Sequence, residues 1–132
     1  MADIKERYLE NEFVEIWFQG GLVYEVFKPD TSITVKAAEI IVRDRLKVSD
    51  GKTSPIFIDL RNVVTIDNAS RSFLAQTEAV EYLTAGAILI TNEIQRLLMN
   101  LWLKIDKPLI PTRGFTDKEK ALQWLEQFKY LN

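Results

Sequence analysis

Cysteine and histidine are both absent from the sequence. Without cysteine there is no disulfide, no thiolate metal site and no thiol nucleophile. Without histidine the commonest metal ligand and the commonest general base near neutral pH are missing too. Serine–histidine chemistry and imidazole-bound zinc are thereby excluded, and a catalytic reading would have to rest on carboxylates, lysine, tyrosine or backbone groups. No constellation of that kind stands out, so no catalytic residue, metal ligand or cofactor is assigned and the chain is not expected to be an enzyme.

An excess of positive charge is missing as well: 17 basic side chains face 19 acidic ones, for a formal charge of −2. Nucleic-acid binding usually shows as a basic footprint, and no basic run interleaved with aromatics is present, so no nucleic-acid partner is expected. Long apolar runs are lacking: the longest, such as Ala85 to Ile90, fall far short of the roughly 20 residues of a membrane span. The opening residues Met1 to Arg7 are charged and carry no signal-peptide core. A cytoplasmic location is the expectation. Glycine and proline are sparse, with five and four copies, and they punctuate turns without forming a linker. No repeat or low-complexity tract is present. The length of 132 residues suits one domain, 1–132, with a core over about 12–130.

What is present alternates between strand and helix patterns. Phe13 to Phe18 and Leu22 to Phe27 are rich in β-branched and aromatic residues, and Gln19-Gly20-Gly21 between them reads as the turn of an antiparallel hairpin. Ser32 to Leu46 carries Val35, Ala38, Ile41, Val42 and Leu46 at helical spacing, with Ser32 or Thr34 as N-cap. Pro55 to Leu60 reads as a buried central strand. Asn68 to Leu83 reads as one helix and Ala85 to Ile90 as a second buried strand. A helix capped by Thr91 or Asn92 runs to about Leu103. Pro108 to Pro111 reads as a short edge strand. Thr116 to Glu119 reads as a capping box opening a last helix with Ala121, Trp124, Leu125 and Phe128 on one face. The expected architecture is α/β: a mixed sheet of about five strands, with an N-terminal antiparallel hairpin followed by alternating helices and mostly parallel strands.

Residues 59–67 read Asp59-Leu60-Arg61-Asn62-Val63-Val64-Thr65-Ile66-Asp67, followed by a helix. This stretch and the order of elements resemble the STAS fold of bacterial anti-sigma factor antagonists of the SpoIIAA type. More narrowly, the chain looks like a branch of single-domain bacterial proteins of unknown function with SpoIIAA-like architecture. In phosphorylated STAS domains the acceptor serine directly follows the second aspartate of this stretch. Here that position is Asn68, which has no hydroxyl, and the next is Ala69. The resemblance therefore implies a regulatory, protein-binding domain without the family's phosphoacceptor.

Two groups of residues are candidates for that binding. The polar junction of Arg61, Asn62, Asp67, Asn68, Ser70 and Arg71 lies between a strand and a helix, where open α/β sheets place ligand sites and free amide donors face outward. The plainer reading gives Asp59 a strand-end hydrogen bond, makes Asp67 an N-cap and leaves the rest a solvated loop. Asp59 with Lys107-Pro108 also resembles pieces of a phosphoaspartate receiver, but Gln19-Gly20-Gly21 stands where that family needs acidic magnesium ligands.

The second group is apolar. Ile94, Leu97, Leu98 and Leu101 form one stripe, read as core. Met99, Trp102 and Leu103 lie on other sides of the same helix, and Trp17 sits on a strand apolar on both faces. These four are candidates for an interface, for self-association as a homodimer, or for contact with an apolar ligand. The leading expectation is a protein-interaction or regulatory domain with a protein partner. The alternative is a carrier of a small molecule or lipid.

Overall fold

The computed structural model describes residues 4–129. The first three residues of the N-terminal reading and residue 130 of the expected core lie outside the described residues. The chain opens with β1 (Glu6–Glu10), β2 (Val14–Gln19) and β3 (Leu22–Phe27). A two-residue loop joins β2 to β3, and Gly20 and Gly21 both have positive φ, at 58° and 82°. A tight hairpin turn matching the strand twist demands such angles at both central positions. Next come β4 (Thr31–Ile33), α1 (Val35–Ser49), β5 (Ser54–Asp59) and β6 (Val63–Ile66). They are followed by α2 (Asn68–Leu74), α3 (Thr77–Val80), β7 (Leu83–Leu89), α4 (Glu93–Asp106), β8 (Thr112–Phe115) and α5 (Lys118–Glu126).

Six strands form the main sheet in the order β1-β2-β3-β5-β7-β8. The first three are antiparallel, and β3, β5, β7 and β8 run parallel. The small strands β4 and β6 pair separately. One side of the sheet packs α1 and α2 around Ile16, Val23, Phe27 and Ile56. Met99, Trp102 and Leu103 of α4 pack against Ile58, Ile88 and Ile90. The other side packs α5, through Ala121 and Leu125, against Phe57, Ala87 and Leu89.

The mixed α/β sheet and the N-terminal hairpin match expectation, and the helix caps are Thr34, Asn92 and Asp117. The small β4–β6 pair was not expected: β4 takes Ser32, the expected start of the first helix, and β6 lies in the expected loop. Four further details differ. The sheet has six strands, because the polar segment Glu6–Glu10 pairs with β2 as an edge strand. Charged residues are what an edge strand exposes to discourage pairing with other chains, so its pattern reads as a frayed lead-in. The last parallel strand lies at Thr112–Phe115, beyond the prolines of 108–111. The last helix is capped by Asp117, whose side chain accepts from the Lys120 amide, and Thr116 lies outside it. The expected single helix from Asn68 breaks at Gln76, whose backbone is extended. The buried Arg45 guanidinium supplies the reason: it donates to the carbonyls of Ala79 at 2.8 Å and Glu81 at 2.6 Å, drawing the chain end of α3 onto α1.

Candidate functional site: the α4 face and the cavity beneath it

At the end of β5, Asp59 accepts from the Arg61 backbone amide and from its guanidinium, at 2.8–3.0 Å. Burial pushes the Asp59 carboxyl up, but these hydrogen bonds and the nearby charge outweigh it and leave the group below its ordinary range. Asp67 accepts from the Ser70 amide at 2.7 Å as the N-cap of α2, and that bonding holds its carboxyl low. Asn62 donates to the Phe27 carbonyl. Arg71 is the hub of the junction. It donates to Asp106 on α4 at 3.0 Å and to Asn68 at 2.6 Å, and its guanidinium lies 4.5 Å above the Trp102 ring. Residues from both candidate groups therefore meet, but as a strut between α2 and α4.

The α4 helix is fixed at two further points. The Gly114 amide donates to the Asn100 side chain at 3.0 Å. A Cβ on Gly114 would stand 3.2 Å from Met99 Cγ, so glycine permits the close approach of α4 to β8. With Met99 and Asp106 turned inward, the stripe of Ile94, Leu97, Leu98, Leu101 and Ile105 faces solvent, each residue 44–72% exposed.

Beneath α4 and α3 lies a cavity of about 140 Å³. Its walls are mostly aliphatic, including Ile56, Ile58, Ile88 and Leu74, and Glu25 and Arg45 also line it. Glu25 is 6% exposed. Burial raises its carboxyl to about 7, with the Arg45 charge pulling the other way. Arg45 spends its donors on Ser49, Ala79 and Glu81. Among the described residues no donor reaches the Glu25 carboxylate. Partly exposed Arg71, Trp102 and Asp106 also line the cavity.

The family model described as "Domain of unknown function (DUF7793)" matches residues 16–129. The chain belongs to the DUF7793 family. The DUF7793 chain is also similar in structure to an uncharacterised protein of the DUF3478 family with a SpoIIAA-like fold from Shewanella loihica PV-4. The TM-score is 0.60 at 16% identity, covering 95% of this chain and 98% of the other. That likeness bears out the SpoIIAA-like fold. The comparison with curated proteins finds no match.

In this DUF7793 chain several candidates take other places than expected. Ser70 is fully buried and its hydroxyl donates to the Ile33 carbonyl at 3.1 Å, so it is no surface contact. Arg61, Asn62, Asp67 and Asn68 remain exposed. Trp17 is 9% exposed, stacked on Tyr24 with ring centroids 5.3 Å apart and covered by Lys5, so it belongs to the sheet face. Met99, with Leu103 and Trp102 beside it, packs inward, and the stripe expected as core points out. Helical spacing shows which residues share a face, not which face turns inward; the Asn100 and Asp106 bonds decide that. The missed residue is Glu25. The signal was its place in step with Val23 and Phe27 on one strand face. Among the described residues no helix is long and apolar enough to cross a membrane, and no cluster of acidic side chains suits a metal ion.

Proposed function

We propose that this chain is a non-enzymatic interaction domain that docks through the outward face of α4 onto an apolar surface of another protein. The observation that carries this is the stripe Ile94, Leu97, Leu98, Leu101 and Ile105 on the solvent side of a helix held by its other side. A contiguous exposed apolar patch of this kind marks an interaction surface. Lys104 and the Glu93–Arg96 ion pair lie beside the stripe on the same helix. The polar junction sets α4 in place through Arg71 and Asp106.

The test is crosslinking mass spectrometry on complexes recovered from native cytoplasm with wild type, Leu97→Asp/Leu101→Asp and Asp67→Lys/Arg71→Glu. A partner crosslinked to α4 in wild type and lost from the first variant is the expected result. Loss only from the second would move the contact to the polar junction and overturn the α4 assignment. Light scattering shows whether the occupant is a second copy: a wild-type dimer that becomes monomeric in Leu97→Asp/Leu101→Asp.

A second reading, a carrier of a small apolar molecule, is favoured by the cavity beside Glu25.

A further inference from the structure

The cavity is as large as one that holds a single benzene ring, about 150 Å³. Its walls exclude a purely polar occupant, yet one polar group, the Glu25 carboxyl, lines it without a hydrogen-bond partner among the described residues. Among the described residues the fully enclosed side-chain atoms without a partner belong to Arg7 and Ser54; the Glu25 oxygens are not enclosed and open onto the cavity, where a ligand can complete their hydrogen bonding. The charge of that ligand is constrained from both sides. A cation would meet the charge of Arg45, which also lines the cavity, and an anion would meet Glu25.

We propose that the cavity binds an uncharged molecule the size of one aromatic ring or a short alkyl chain, bearing a single hydroxyl that hydrogen-bonds the Glu25 carboxyl. This rests on the carrier reading and names its ligand class. A hydroxyl both donates and accepts, so it satisfies Glu25 whether that carboxyl is ionised or protonated. The hydrocarbon portion lies against Ile56, Ile58, Ile88 and Leu74. The Arg71–Asp106 ion pair also lines the cavity.

The test uses benzyl alcohol and toluene as probes, matched in size and differing in the hydroxyl. Binding is read from backbone amide NMR shifts during titration of the intact chain. The expected result is saturable shifts at β3, β5 and α3, with benzyl alcohol favoured over toluene by about ten-fold, the scale of one hydrogen bond. Glu25→Leu removes that preference while toluene still binds. Ala79→Leu fills the cavity and abolishes both, with a folded amide spectrum as its control. Failure of both probes to bind wild type overturns the carrier reading and this proposal together. Equal affinity for the two probes overturns the hydroxyl assignment and leaves the carrier reading standing.

Discussion

Glu25 stands in step with Val23 and Phe27 on one face of β3, so β pairing itself carries it into the interior. Burial raises its carboxyl to about 7, against an ordinary 4.5. Between those values the folded chain holds a proton that the unfolded chain has released. Stability is therefore full below about pH 4.5 and falls as pH rises, until the loss is complete above about 7. A shift of that size corresponds to about 3 kcal/mol. Glu25→Gln removes the charge and keeps the shape. Urea unfolding at pH 5 and pH 8 checks the prediction: the difference between the two pH values shrinks in Glu25→Gln, and the variant is the more stable protein at pH 8. An unchanged pH difference would mean that Glu25 is not the titrating group. Single residues were unevenly legible in the sequence. The caps Thr34, Asn92 and Asp67 follow from local rules, since each side chain reaches an amide three residues on. The fate of Ser70 does not, because its hydroxyl is satisfied by Ile33, far away in the chain.

At the scale of elements, α4 shows how far periodicity reaches. The apolar stripe was legible, and its outward direction was not. Direction follows from contacts made by residues with no apolar signal: Asn100 to the Gly114 amide and Asp106 to Arg71. The Arg71–Asp106 pair is partly buried, with side chains 14% and 12% exposed. Asp106→Ala leaves a half-buried guanidinium with Asn68 and the Trp102 face alone. The expected cost is about 1–3 kcal/mol in urea unfolding, whereas Leu97→Asp, on the exposed stripe, costs within about 0.5 kcal/mol. A reversal of that ranking would place the stripe in the core. The break between α2 and α3 was hidden for a similar reason. Nothing between Asn68 and Leu83 marks Gln76 as an interruption, since Arg45 on another helix takes the carbonyls that a continuous helix would keep for itself.

For the whole molecule, the mixed character of the sheet was readable from two kinds of local information: the Gly20-Gly21 turn, and the alternation of helices with the short apolar runs at β5 and β7. The edge strand β1 was not, because a strand exposed on one side needs no apolar pattern to form. That difference between centre and edge extends to stability. The strands β3, β5 and β7 have neighbours on both sides and helices on both faces. The helix α4 sits at the far end beside β8, held by Met99, Trp102, Leu103 and two polar attachments, with its apolar stripe uncovered. Elements with few buried contacts open locally at free energies below that of global unfolding. Native-state hydrogen exchange of the isolated chain should show α4 amides exchanging by local opening, while those of β5 and β7 exchange only with global unfolding. Occupancy of the stripe by a partner should raise α4 protection and leave the β5 and β7 amides still limited by global opening. If α4 in the isolated monomer were protected as strongly as β5, its inward contacts would suffice to hold it. The uncovered stripe would then add nothing to stability, and a partner would find α4 already rigid.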